Sequence, residues 1–166
     1  MRLSGSFATA LLLVALAAPA WPTGHSNAGL KQTMQQIYAR MDRAVDRRDF
    51  DGFVAFYDPD YREMLPNNME REYQAFVART AAVFSHASKI NARSTVLSAQ
   101  QTPDGVTVTV RVHLTGVFKN PKNGKKAAVD GTEVDRDFWV NDSGSWKLKQ
   151  ERALSSTGTV NGKRVR

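Results

Sequence analysis

Arg136, Gln150 and Arg152 are the side chains whose types and spacing could hold a small molecule. Successive strand residues point to opposite faces, so the pairing of two neighbouring strands decides which side chains meet. If the turn at Asn141–Ser145 sets Val140 opposite Trp146, then Phe138 opposes Leu148, Arg136 opposes Gln150 and Val134 opposes Arg152, all on one face. Two guanidiniums on a covered face need carboxylates or an anionic ligand, because an unpaired buried charge is strongly destabilising. They would grip a carboxylate or enolate-like group, with Gln150 orienting it. The plainer alternative pairs each arginine with a helix carboxylate such as Asp42 or Glu63 and merely closes the fold. On the other face, the same pairing sets Asp137 against Lys149 and Trp139 against Lys147. It also sets Asp135 against Glu151, an unfavourable like-charge pair.

Candidates for proton transfer are few. His86 ends a predicted helix, where an imidazolium suits the negative terminus, and could serve as a dehydratase-like base. Asp42 is the other weak catalytic candidate. Tyr57, Tyr61 and Tyr73 could present hydroxyls to a cavity, or be core residues with the hydroxyl at the edge. His113 alternates with outward residues and falls beside Arg111 and Trp139 on the outer face. A large aromatic among cations there points to a covered surface, hence a homodimer. No zinc-type spacing, phosphate loop, nucleophile elbow or dinucleotide fingerprint occurs, so neither a metal nor a cofactor is expected.

These residues must be positioned by helices and then strands. Leu30, Met34, Ile37, Met41, Ala44 and Val45 repeat at helical spacing. Asp49-Phe50-Asp51-Gly52 interrupts, and Phe53 to Tyr57 make a short second helix stopped by Asp58-Pro59. Tyr61 to Leu65 suits a short strand closed by Pro66, and a third helix carries Tyr73, Phe76, Val77, Thr80 and Phe84. After Ser88 the period changes to two. Lys89 to Gln101 leans to strand but alternates poorly, whereas Val106, Val108, Val110, Val112 and Leu114 mark one clean face. Gly116 before Val117 and Phe118 suggests a bulge, and Asn123-Gly124 a hairpin.

Residues 1–28 are expected to be a cleaved export signal: Arg2 precedes an apolar run, Phe7 to Ala18, too short to span a bilayer, with cleavage after Ala20 or Ala28. The chain has no cysteine, which excludes disulfides and thiol lipidation. A periplasmic or secreted product follows, free of the membrane after cleavage. The net charge of +7 gathers at Lys119–Lys126 and Lys163–Arg166. Neither cluster is interleaved with stacking aromatics, so a solvated basic surface is favoured over nucleic acid. One domain is expected over 29–155, followed by a basic flexible tail, 156–166, that is frayed or a small extra hairpin.

Helix, Asp-x-Asp-Gly step, short helix, strand, helix, then a meander through Trp139, Asn141, Gly144, Trp146, Lys147 and Leu148: over 29–155 this order resembles the nuclear-transport-factor-2-like superfamily. The likeness is nearest its polyketide-cyclase-like and steroid-isomerase-like branches. It implies an α+β fold in which a curved antiparallel sheet wraps about three helices as a cone with a pocket, often dimeric through the outer face. Steroid isomerases of this fold hold a base aspartate before a proline; the matching position here is Leu65, before Pro66, which takes no proton. Their oxyanion-donating tyrosine would fall near Met41, with Tyr38 able to substitute only on a shifted helix. Asp135-Arg136-Asp137 has the letters of the epoxide-hydrolase set but not its shared face. The steroid-isomerase mechanism is therefore disfavoured.

The leading expectation is an exported domain that binds a small apolar or weakly acidic molecule. Its cavity would be lined by Phe53, Tyr57, Phe76, Phe138, Trp146 and Leu148 and anchored by Arg136, Gln150 and Arg152. A cofactor-free lyase or isomerase using His86 or Asp42 is the rival. A protein-interaction or envelope-associated module, using Trp139 and the basic loop, is the third.

Overall fold

The computed structural model describes residues 27–65, 69–120 and 123–165. The expected leader therefore lies outside the described residues, except that Asn27 and Ala28 open the first helix. Helix α1 (Asn27–Arg47) buries Leu30, Met34, Ile37, Tyr38, Met41, Ala44 and Val45, the stripe its periodicity predicts. It ends where Arg48 turns left-handed (φ 56°), with Arg48 N–H donating to Val45 O and Asp49 N–H to Ala44 O, the paired bonds of a Schellman end. Asp49 then caps α2 (Phe50–Val54) by accepting from Gly52 N at 2.8 Å. A Cβ on Gly52 would lie 2.2 Å from that carboxylate, so the Asp-x-x-Gly step needs its glycine.

The remaining elements are β1 (Tyr57–Met64), β2 (Glu70–Glu72), α3 (Tyr73–His86), β3 (Ala87–Thr102), β4 (Gly105–Lys119), β5 (Lys126–Asp142), β6 (Ser145–Val160) and β7 (Lys163–Val165). The sheet runs β2-β1-β6-β5-β4-β3, with β7 on β6. All pairings are antiparallel but one, β1 with β6, so the expected antiparallel sheet is mixed. This is the expected α+β class: helices, then a curved, unclosed sheet. Its core joins Met34, Ile37, Tyr61, Val96, Val106, Val108, Val110, Trp139 and Leu148.

Helix α1 also covers the free edge of β3. Gln35 accepts from Val96 N and donates to Ser94 O, Asp42 accepts from Ser94 N at 2.8 Å and Ser94 Oγ at 2.7 Å, and Asp46 accepts from Ala92 N. Side chains on a helix thus replace a missing neighbour strand, and the exposed row of peptide groups is removed. The weak alternation of 89–101 has its cause in two register shifts on β3, at Ala87/Lys89 and Val96/Ser98. Gly116 itself is regularly paired; the bulge expected beside it lies on the neighbouring strand, where Ser88 is left over between Ala87 opposite Phe118 and Lys89 opposite Val117. The missing Cβ of Gly116 makes room for the Phe118 ring (2.6 Å) and Lys89 O (2.9 Å).

Two corrections concern the last hairpins. Asp142 pairs with Ser145, leaving a two-residue turn in which Ser143 (φ 52°) and Gly144 (φ 90°) are both left-handed, as a type I′ turn requires. Trp139 therefore opposes Leu148, not Lys147, and the pairing is displaced by one residue from the expected one. Further on, of the two expectations for the tail the small extra hairpin is the one seen in place of a flexible segment: β6 continues to Val160 along β5, and Lys163–Val165 folds back on it.

Candidate functional site

The pairing is displaced by one residue from Asp142 to Trp139 and by two beyond the register shift at Phe138/Trp139. The even-numbered residues Arg136, Phe138, Gln150 and Arg152 therefore stay together, and beyond that shift the face turned to the cavity is the odd-numbered one. Arg136, Gln150 and Arg152 are exposed on the outer face. Phe138 goes with them, its ring filling the space where a Gly105 side chain would be (2.9 Å). Trp146 is half-buried and lines a shallow groove with Arg40 and Phe56, away from the cavity. Trp139, expected outside, is fully buried. The expected anchors do share a face, with Arg136 paired to Arg152 and Phe138 to Gln150, but it is the outer face and not the cavity wall. In their place β5 turns Glu133, Asp135 and Asp137 inward, and a bulge after Leu148 turns Glu151 to join them.

The cavity they line is about 270 Å³, enclosed by α1, α3 and the concave sheet, at the small end of ligand pockets. Tyr57, Phe76, Phe53 and Leu148 line it as expected. Tyr57, Tyr61 and Phe76 form a stack of rings with centroids 4.4–4.9 Å apart. Tyr73 is half-buried against the core outside the lining. Asp42 reaches the cavity wall, but both its oxygens are engaged by Ser94. His86 is exposed at the end of α3, outside the lining, and His113 is exposed on the outer sheet 3.0 Å from Asp130, so neither faces the cavity.

At the centre of the wall the Tyr38 hydroxyl donates to Asp137 Oδ2 and accepts from Trp139 Nε1 at 2.9 Å. Tyr38 is the residue that could stand for an oxyanion-donating tyrosine. It belongs to the buried stripe of α1, which brings its hydroxyl to this wall. Asp135 and Asp137 are 5% and 3% exposed, and the Oδ1 atom of each is buried without a hydrogen-bond partner among the described residues. The mouth is different. Glu63 of β1, two residues before Leu65, holds Arg71 at 2.5 Å and Arg79 at 3.4 Å.

Burial disfavours the charged form of these carboxyls, and their neighbours add to it. Asp135 is pushed up to about 8, by desolvation first and then by the charges of Glu151, Glu133 and Glu63. Glu151 rises to about 7, by desolvation and then by Glu63 and Glu133. Asp137 is held well above the carboxylate range by burial and Glu151, against the opposing hydrogen bond from Tyr38. Glu133 is raised more modestly, again by burial first. A wall of this kind holds protons at neutral pH and can donate or accept them. Among the described residues no group of three or more acidic or imidazole side chains is arranged to hold a metal ion, and no helix is long and apolar enough to cross a membrane.

The sequence carried one sign of this wall, the unfavourable like-charge pair that an outward register makes of Asp135 and Glu151; in the structure Glu151 pairs with Asp137 and its charge raises Asp135 from nearby.

Residues 30–152 match the family model of the SnoaL-like domain. No curated protein matches the chain by sequence. Among solved structures, a conserved protein of Planctomyces limnophilus is similar with a TM-score of 0.61 and 14% identity, covering 73% of this chain and 91% of its own. A nuclear transport factor 2-like superfamily protein of Salmonella enterica gives 0.60 and 14%, covering 78% and 93%. A type 2 hexachlorocyclohexane dehydrochlorinase gives 0.57 and 13%, covering 81% and 92%. At such identities the likeness is one of fold.

Proposed function

The chain belongs to the SnoaL-like domain family, within the nuclear-transport-factor-2-like superfamily, and from that footing we propose that its cavity is the site of a cofactor-free acid–base enzyme, a lyase or isomerase acting on a small apolar molecule. The observation that carries this reading is the Tyr38–Asp137 hydrogen bond beside Glu151 and Asp135 on one cavity wall. A neutral Asp137 carboxyl, held in place by the Tyr38 hydroxyl, is a donor suited to a substrate oxygen on which charge develops. Glu151, poised at about 7, is matched to taking a proton from carbon at neutral pH. In such a step the carbon–hydrogen bond breaks toward the Glu151 carboxylate and its electron pair moves toward the oxygen held by Asp137. The proton then returns to another carbon in an isomerase, or a leaving group departs in a lyase.

A fold neighbour named as a dehydrochlorinase supports elimination as a chemistry this architecture accommodates. The leucine at position 65 remains silent in this scheme, since the base is supplied from β6. The weakly acidic ligand loses its support with the outward placement of Arg136 and Arg152. Export, read from the apolar run at 7–18, and pairing through the outer face around Arg111 and His113 are further parts of the proposal, without Trp139 in that face.

The test is deuterium exchange at the α-carbon of small cyclic ketones in D₂O, followed by NMR. The wild-type chain is expected to accelerate exchange, and Glu151→Gln to lose at least about a hundredfold. Bound ketone with no exchange in the wild type would reduce the site to a binding module. Sedimentation of the mature chain, with and without Arg111→Glu, reads the dimer.

A further inference from the structure

Charge on the cavity wall is one-sided. Of the titratable groups that face Asp135, Asp137 and Glu151, α1 supplies Tyr38 and Asp42, β1 supplies Tyr57, Tyr61 and Glu63, and β5 adds Glu133. The cation in the lining is Arg79 of α3, whose side chain is 61% exposed and drawn to Glu63 at the mouth. Strands β3 and β4 contribute Ile90, Ala92, Ser94, Val112 and Leu114, with no charge. Among the described residues an anionic ligand would find no cation within the cavity beyond Arg79, and it would meet repulsion from each wall carboxyl that ionises.

The wall also has two unfilled acceptors, Oδ1 of Asp135 and Oδ1 of Asp137, each on a side chain more than nine-tenths buried. Once ionised, these oxygens are buried acceptors without donors, which is unfavourable. A ligand that brings a cation with N–H groups satisfies their ionised form, whereas one that brings oxygens alone meets only their protonated form. Met41, Val45, Val83 and Phe84 give the same cavity an apolar lining. Rings of Tyr57 and Phe76 line it as well, and aromatic faces favour cations.

We propose that the ligand of this cavity is a small apolar amine that enters as a cation, its ammonium N–H groups filling the two empty acceptors on β5 while its hydrocarbon lies against α1 and α3. This rests on the cavity being a small-molecule site and specifies the class of molecule. Uptake is then coupled to protons. A cation beside Asp135 and Glu151 favours their ionised forms, so binding releases protons and tightens as pH rises from 6 to 8. The gain ends as the amine itself loses its proton near ~10.

The experiment is calorimetric titration of the full chain with cyclohexylmethylamine, cyclohexylmethanol and cyclohexanecarboxylate, three probes of one shape and different charge, at pH 6 and pH 8. The amine is expected to bind at least about tenfold more tightly than the alcohol at pH 8, and at least about tenfold more tightly there than at pH 6. In two buffers of different ionisation enthalpy it should release about one proton. Asp135→Asn and Glu151→Gln, each checked by thermal melting, should lose the amine preference and its pH slope while keeping the alcohol. Alcohol binding equal to the amine, carboxylate binding best, or both variants keeping the full preference would overturn the amine and leave the cavity standing. Failure of all three probes would overturn the amine together with the cavity as a small-molecule site.

Discussion

Carboxylates on the two sides of this molecule behave in opposite ways. Asp42 and Asp46 of α1 sit over the edge of β3 and are filled with donors: peptide N–H groups of Ser94 and Ala92, the Ser94 hydroxyl, Asn91 and Arg93. Asp46 is consequently held below the usual carboxylate range, despite some desolvation, by Arg93 and these hydrogen bonds. Asp135, Asp137 and Glu151 lie across the cavity on β5 and β6, facing one another with few donors, and rise instead. The side-chain chemistry is the same. Supply of N–H and O–H groups decides whether an acid holds structure together or stays reactive, which makes the under-supplied set the functional candidate.

The largest test of that contrast is Asp42→Ala. It strips two hydrogen bonds from the β3 edge and leaves Ser94 N–H without its acceptor, so urea denaturation should show a loss of about 3 kcal/mol. Asp135→Asn should do the reverse and raise stability by about 1–2 kcal/mol at pH 8, with little effect at pH 5. The sign follows from proton counting. Unfolded carboxyls lose their protons near 4, whereas folded Asp135 and Glu151 keep theirs until about 8 and about 7. The native state therefore binds more protons between those values, and stability falls as pH rises from about 4 to 8, by up to about 1.4 kcal/mol per unit for each group. Asp46 works the other way, contributing stability above 3.8 that is lost as pH falls through its lowered value. Melting temperature against pH should peak between about 4 and 5, and the double variant Asp135→Asn/Glu151→Gln should flatten its alkaline side.

Smaller effects refine the picture. Trp139→Phe removes the donor to the Tyr38 hydroxyl while keeping a ring in the core, and should cost about 1 kcal/mol in denaturant titration. Arg136→Ala and Arg152→Ala, on the exposed face, should change stability by less than about 0.5 kcal/mol. A loss several times larger would return the arginines to the interior.

Much of the fold was legible in the residues because it rests on period. The stripe of α1, the interruption at Asp49–Gly52 and the face of Val106, Val108 and Val110 follow from local rules that admit one answer. The site was not, because it rests on register. Asn141-Asp142-Ser143-Gly144-Ser145 holds several turn-forming residues and can close at more than one length. Left-handed Ser143 and Gly144 select the two-residue turn, and the bulge after Leu148 then decides that Glu151 enters while Gln150 leaves. Hydrophobicity alone resolved neither, since Phe138 and Trp139 adjoin and either could face the core. The unfavourable pairing of Asp135 with Glu151 was the residue-level clue that this face is not solvated; the structure pairs Glu151 with Asp137 instead, and burial keeps these acids protonated.

The side-chain cover over β3 has a consequence for storage and handling. Because Gln35, Asp42 and Asp46 stand in for a strand, the sheet is sealed by three removable caps and by no continuous backbone ladder. Strong acid, which neutralises Asp46, weakens one of them and offers β3 to the same strand of another molecule. Slow growth of light scattering at low pH, suppressed by a lysine placed at exposed Leu97 on that strand, is the form in which this seam would open.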